Sequence, residues 1–420
     1  MRKIGKYSFG IGDRFAHQGK AQLKAFVAAK DQLGIDFTPV WNKSNREHTT
    51  IGTQPTSVRK EANEAVAALG WQGDYFVDAD HINLNNVEAF VEPSDFFTID
   101  VADYIGEAST ESDVQQFVAN HQSFVGKLSI PGIDETFEVS VDWLKNFANS
   151  YLKAIAEAAK VYNYLVDKKG FGNFVPEVSC DETDTPQSPL DLFFILKLLA
   201  DNNLPAQTIA PRFSGRFNKG VDYVGDVAQF EKEFEQDLLV IKHAVAQFGL
   251  PDNLKLSVHS GSDKFAIYPI IGKLIQKHDA GIHIKTAGTT WLEEIAGLAV
   301  SGGEGLKLAQ KVYVKAYLKM DELTAPYASV IDIKLQNLPS PEEVNNWTAQ
   351  QFAGAVIHDQ SNPLFNPDLR QLIHVGYKVA AQLGDEYINC LEKFEANIEK
   401  QVFDNIFERH MKRLALIAKK

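Results

Sequence analysis

Short runs of β-branched and aromatic residues recur along the chain, most of them separated by ten or more residues in which apolar positions return every three or four. That alternation is the pattern of βα units wound into a parallel sheet. Eight runs read as strands: Tyr7–Ile11, Asp36–Trp41, Tyr75–Asp80, Phe96–Val101, Phe174–Asp181, Gln207–Arg212, Leu254–His259 and Gly281–Thr286. A ninth, Ser329–Ile333, would shift the barrel count by one or stand as an additional end strand. Between them, Gln22–Leu33, Val58–Leu69, Leu190–Ala200, Phe230–Phe248 and Ile267–His278 each carry an apolar stripe suited to the outside of a barrel. The helix after the fifth strand has a clear start, with Ser188 as N-cap, Pro189 first in the helix and Asp191 in the first turn, near the positive end of the dipole. The expected fold is α/β, a (β/α)8 TIM barrel.

Two regions break the alternation. From about 102 to 141 the chain is polar, with a small hairpin expected around Pro131-Gly132 and a long helix over Asp142–Lys168. We read 102–145 as an insertion after the fourth strand. The stretch 341–420 reads as a helical C-terminal extension packed on a barrel domain of 1–340. Internal repeats and low-complexity tracts are absent from the sequence.

In a barrel strand alternate side chains face the lumen, so a strand that is apolar on one parity and polar on the other shows where its chemistry points. In Leu254–His259 the aliphatic set is outward, leaving Lys255, Ser257 and His259 inward, with His259 nearest the C-terminal mouth. In Ile282-His283-Ile284-Lys285 the inward pair is His283 and Lys285, so His259 and His283 form a candidate metal pair on neighbouring strands. The same parity places Glu177, Ser179 and Asp181 inward, with Glu182 in the following loop. Asp78, Asp80 and His81 add to the rim from a strand whose parity is less clear. Arg212 and Arg216 follow the sixth strand, and Arg14, Asn42, Lys43 and Arg46 follow the first two. These offer forked and point charges for a substrate carboxylate. Each also has an ordinary reading: a strand-end histidine bonded to backbone, Lys285 paired with Glu177 or Asp181, arginines paired with rim acids. His121, His243, His278 and His410 sit in helical or inserted contexts and read as surface or packing residues.

A formal charge of −13 argues against nucleic acid or an anionic membrane as partner. Two cysteines, Cys180 and Cys390, lie far apart and outside any CxxC spacing, so no disulfide framework or structural zinc is indicated. The first residues lack an apolar segment of signal-peptide type, and no stretch approaches a membrane span, so a cytoplasmic location is expected. Gly10-Ile11-Gly12 and Gly170-Phe171-Gly172 each lack the third glycine of a dinucleotide loop, which leaves NAD unsupported. P-loop, HExxH and GxSxG patterns are likewise missing.

Long runs then carry a family resemblance. Phe9-Gly10-Ile11-Gly12-Asp13-Arg14-Phe15, Pro39 to His48, Val77-Asp78-Ala79-Asp80-His81-Ile82, Phe97 to Ala102, Arg212 to Tyr223, Val258-His259-Ser260-Gly261-Ser262-Asp263-Lys264-Phe265, Ile284 to Trp291 and His374-Val375-Gly376-Tyr377-Lys378 closely resemble the tagaturonate epimerases, through nearly the whole chain. The resemblance implies a divalent-metal enzyme (Mn, Zn, Ni, Co or Fe) that interconverts the keto-sugar acids tagaturonate and fructuronate in galacturonate breakdown. Some members also act on neutral ketohexoses such as tagatose and fructose. Its partner is then a small-molecule keto-sugar acid, with the oligomeric state left open.

The two acids differ at a hydroxyl-bearing carbon β to the ketone, whose C–H the carbonyl does not acidify. Simple enolisation therefore cannot invert it. Without a nicotinamide, the economical route is retro-aldol cleavage of the neighbouring C–C bond, rotation of the aldehyde and readdition to its other face. On this reading His259 and His283, with Asp181 or Glu177, hold the metal. Glu182, or alternatively Asp78, moves the hydroxyl proton. Lys285 polarises the carbonyl and Arg212 or Arg216 clamps the carboxylate. Two competing readings are a metal-dependent aldolase on the same barrel and a Lys285 Schiff-base aldolase. A third, from another class, is a non-catalytic sugar-acid-binding subunit.

Overall fold

The computed structural model describes residues 1–183, 185–286 and 289–414. Ala287 and Gly288 of the Ile284-to-Trp291 run, and 415–420 of the expected extension, lie outside the described residues. Eight parallel strands close into a barrel: β1 Tyr7–Gly12, β2 Phe37–Ser44, β3 Phe76–Ile82, β4 Phe96–Asp100, β7 Val175–Ser179, β8 Thr208–Ala210, β9 Lys255–His259 and β10 Ile282–Lys285. The remaining two strands, β5 Gly126–Ser129 and β6 Thr136–Val139, form an antiparallel hairpin outside it. Around the barrel the order is β1-β2-β3-β4-β7-β8-β9-β10, closing back on β1. Each of the eight strands expected from periodicity is therefore a barrel strand. β8 is the shortest because Pro211 follows it and has no N–H to extend the ladder.

Ser329–Ile333 is not a strand. The barrel closes with eight and has no edge left to pair with. The backbone of this β-branched segment is satisfied elsewhere: Val330 O accepts from Lys219 N at 2.8 Å, and Asp332 N donates to Gln371 Oε1 at 2.9 Å. It crosses the mouth of the barrel, where Ser329 and Val330 line a cavity.

The helix expected after the fifth barrel strand starts where its cap predicts. Ser188 accepts from Asp191 N while Asp191 accepts from Ser188 N, a reciprocal box that opens the helix Pro189–Asp201. Between β4 and β7 lie the helix Glu111–Asn120, the β5–β6 hairpin and the long helix Val141–Lys169, capped by Ser140. After β10 the chain is helical, and its later helices are tied to the barrel by buried polar bonds. The Arg370 guanidinium donates to Gly220 O (2.6 Å) and Asp263 (2.8 Å), and Trp291 donates to Ile373 O at 2.8 Å.

Two apolar layers position the site. One continuous core fills the space between the strands and the helical shell. A second, smaller cluster of Ile4, Val40, Phe76, Phe96 and Val175 sits inside the barrel and plugs its N-terminal end. Opposite this plug lies the C-terminal end of the lumen, where barrels of this kind carry chemistry, and there the inward side chains include Asp80, Glu177, His259 and Lys285.

Candidate active site

His81, Asp181 and His259 bring one ligand atom each to within 4.8 Å of one another at the C-terminal mouth. The strands explain why. His259 ends β9 on the inward parity, and Asp181 follows β7 two residues above Ser179, whose hydroxyl donates to it. His81 owes its position to an irregularity: the β3–β4 register shifts between Ala79 and Ile82, and His81 adopts φ 53°, a left-handed conformation that is costly for a residue with a Cβ. The bulge turns both Asp80 and His81 toward the mouth, where strict alternation would turn one of them away.

Each imidazole is held from behind by a carboxylate. Glu177 Oε1 lies 2.8 Å from His259 Nε2, and Asp80 Oδ1 lies 2.9 Å from His81 Nδ1. The other ring nitrogens, His259 Nδ1 and His81 Nε2, face Asp181 Oδ1 at 3.1 and 3.7 Å. Both are buried without a hydrogen-bond partner among the described residues. A carboxylate on the outer nitrogen, with the inner nitrogen turned toward a shared acid, is how proteins orient histidine for a metal. The donor set, two imidazoles and one carboxylate, suits a borderline divalent cation.

Burial alone would lower both imidazoles. Asp181, aided by Glu177, outweighs it and holds His259 at about 9; Asp80 and Asp181 hold His81 well above its usual value. The same two rings hold the Asp181 carboxylate well below its usual range despite burial. Two charged rings must then lose protons to ligate. Loading a divalent ion near pH 7 is expected to release about two protons, and affinity should rise with pH through about 9, the value of His259. Calorimetric titration in two buffers of different ionisation enthalpy measures this, and a proton count near zero would contradict it.

Beneath the trio lies a charge cluster. Lys285 Nζ reaches Asp80 Oδ1 (2.6 Å), Thr98 Oγ1 (2.7 Å), Asp78 Oδ2 (2.8 Å) and Glu177 Oε1 (3.4 Å). Gly10 makes room for it, since a Cβ there would stand 2.9 Å from Lys285 Cγ and 3.0 Å from Asn42 Nδ2. Above the trio a cavity of about 460 Å³ opens, lined among others by Asp100, Asp103, Glu182, Lys219 and His374. A smaller one of about 320 Å³, bounded by Arg46, Arg212 and Tyr327, shares Asp181 and His259 with it.

The family model for tagaturonate epimerase matches residues 1–414. This chain belongs to the tagaturonate epimerase family. A relative within reach of sequence comparison, the tagaturonate/fructuronate epimerase of Thermotoga maritima, is 30% identical over 97% of this chain and 79% of that protein. The fold is shared with the crystal structures of the fructuronate-tagaturonate epimerase UxaE from Cohnella laeviribosi. The native form superposes with a TM-score of 0.80 at 24% identity over 99% of this chain and 82% of that one. A complex with two glycerols gives 0.82 over 99% and 83% at the same identity.

In this epimerase-family chain the expected residues divide. His259 and Asp181 stand together, but their third neighbour is His81, expected only as one of the rim residues, rather than His283. His283 pairs in register with Ser257, one side-chain layer below the His259–Lys285 pair. There it bonds Ser8 Oγ at 2.9 Å and packs on Phe96 of the plug, and burial holds it at about 3, neutral. Glu177 and Asp78 are fully buried partners of His259, Thr98 and Lys285, not free bases. Lys285 spends its three N–H groups on Asp80, Thr98 and Asp78, which leaves none for a carbonyl. Lys43 is buried, bonded to Arg14 O (2.6 Å) and Thr53 (2.8 Å), and does not reach the cavity. Arg216 turns to Asp332 at 3.3 Å, away from both cavities.

Several expected residues do line the cavities. Arg14 does so while paired with Glu47 at 2.8 Å and stacked over Tyr377, and Arg46 lies over Tyr327. Asp80 and Glu182 face the larger cavity, and Arg212 borders the smaller one with a bond to Asp181 O at 3.2 Å. Asn42 is buried in the lumen with neither amide atom bonded among the described residues. Among the lining residues that escaped the sequence reading are Asp100, Lys219 and His374. Asp100 was within reach, because it continues the inward parity of Phe96 and Thr98.

Proposed function

We infer that this chain interconverts tagaturonate and fructuronate by breaking and re-forming one C–C bond, with a divalent cation held by His81, Asp181 and His259. The observation that carries the reading is the pair of carboxylate-backed imidazoles whose buried inner nitrogens converge on Asp181 at the floor of the cavity. A cation bound there would supply positive charge to the ketone oxygen and adjacent hydroxyl, favouring the negative charge that cleavage places on them.

The remaining steps fall to the protein's own residues. A base takes the proton from the hydroxyl on the carbon to be inverted, and the C–C bond electrons move toward the ketone. The freed aldehyde turns, the bond re-forms on its other face, and the same group returns the proton. Asp100 and Glu182 are cavity carboxylates outside the ion cluster. Burial pushes the Asp100 carboxyl up, toward the range in which an acid both takes and returns a proton. Glu182, exposed on the rim, is the second candidate. Lys285 keeps Asp80 and Glu177 ionised despite burial, and these hold the two rings in place. An ammonium held so far above its usual value by three acids is a poor Schiff-base nucleophile, which counts against the lysine aldolase.

The test is anaerobic turnover of tagaturonate by chelator-treated protein resupplied with single divalent metals, with the product resolved from its epimer. Activity should vanish on chelation, return with at least one metal, and yield no free three-carbon products. Full turnover after chelation would sink the reading, and escaping fragments would favour the metal-dependent aldolase.

A further inference from the structure

His374 is 2% exposed, lines the larger cavity, and has no hydrogen-bond partner on either ring nitrogen among the described residues. Such an imidazole is costly unless something polar enters the cavity to meet it. Its backbone is pinned: Arg14 donates to His374 O, and Trp291 donates to the preceding carbonyl. The ring is thus held in place by a helix, Pro367–Val375, remote in sequence from the barrel strands.

Four cations surround it, Arg14, Lys219, Arg370 and Lys264. Three are committed. Arg14 pairs with Glu47, Arg370 with Asp263, and Lys264 donates to Val221 O (2.7 Å) and Asn218 O (3.0 Å). Lys219 is the exception: its ammonium has no ion pair or hydrogen bond among the described residues, and it lines both cavities. Space is kept for it, since Gly261 has φ +64° and a Cβ there would lie 3.1 Å from Lys219 Nζ. Burial, reinforced by Arg14 and Lys219, holds the His374 ring well below its usual value, so it is neutral and offers one N–H.

We propose that Lys219 and His374 form the subsite for the carboxylate of the keto-sugar acid, which makes the C-terminal helical region a contributor to substrate selection. This rests on the functional reading above. An unpaired ammonium beside an unpaired buried imidazole, in a cavity whose acids gather around the cation trio, fits a ligand with an anionic end and an oxygen-rich, metal-seeking end. A carboxylate accepts from both groups and neutralises the lysine. The hydroxymethyl group of a neutral ketohexose does not bring that charge. Retro-aldol cleavage leaves the carboxylate on the aldehyde fragment, so the same contact retains that fragment while its aldehyde turns.

The test is equilibrium dialysis of metal-loaded protein with tagaturonate and with tagatose, alongside metal analysis. Lys219→Met should weaken tagaturonate at least about tenfold and tagatose less than about threefold, at unchanged metal content. His374→Leu should do likewise, with His374→Gln recovering most of the loss because its amide can donate. Equal weakening of both sugars, no change in either, or loss of metal in Lys219→Met would overturn the proposal. Wild-type protein that binds tagaturonate without epimerising it would keep the subsite and remove the functional reading. Wild-type protein that does not bind it would remove the subsite.

Discussion

His81→Ala is expected to lose both cation and turnover, while His283→Ala keeps the cation. Removing even a residue that backs a ligand costs metal affinity about 10- to 100-fold, so losing His81 itself should cost more than about 100-fold. Turnover of tagaturonate should fall by about 10³-fold or more, because the charge that meets the developing oxyanion goes with the metal. His283 sits a layer lower against Ser8 and Phe96, with its Nδ1 spent on Ser8. Its loss should show as reduced stability of the plug, with metal stoichiometry intact. Elemental analysis of desalted protein and kcat/KM on the metal-loaded forms separate the two. The opposite result, His283→Ala losing the metal and His81→Ala retaining it, would refute this arrangement.

The contrast shows where sequence reasoning reaches. Strand parity is local, and it put His259, Asp181, Glu177 and Lys285 in the lumen as the structure does. Register is not local. His283 and His259 share a parity on neighbouring strands, yet Lys285 is the residue beside His259, and no pattern within either strand reveals that offset. His81 was misjudged for the opposite reason. The bulge at Asp80–His81 breaks the alternation that makes strands legible, and the positive φ that creates it leaves no compositional trace. The ninth strand candidate failed because β-branched composition reports fit to a sheet, not whether a sheet edge is free. Lys219 and His374 come from a loop and a distant helix, where no periodicity marks a cavity-facing side chain. Their signal lay only in the long family-like runs that contain them.

Lys285→Met is expected to be among the most destabilising single changes in the barrel, with a pH signature that identifies the cause. In the native protein one buried ammonium serves Asp78, Asp80 and Glu177, all three of them buried. Removing one partner of a buried ion pair costs about 3–5 kcal/mol, because the remaining charge has neither water nor counterion. Here three carboxylates are stranded together. Asp80 and Glu177 are depressed in the native state, with burial outweighed by Lys285. Their stabilising contribution is present above the unfolded carboxylate range near 4 and is lost as pH falls through their folded values. Asp78 differs: burial already raises it to about 6, so its contribution is present below the unfolded value and lost as pH rises through about 6. Without the lysine all three shift up and behave as Asp78 does. The deficit of the variant relative to the parent should therefore be largest above pH 6 and shrink toward pH 4.5, where the acids can take protons. Adding Asp78→Asn to Lys285→Met should recover part of the loss at pH 7.5 by removing one stranded charge. Urea midpoints for the three proteins at pH 7.5 and 5 measure it. A deficit independent of pH would show that Lys285 contributes through packing and not through charge.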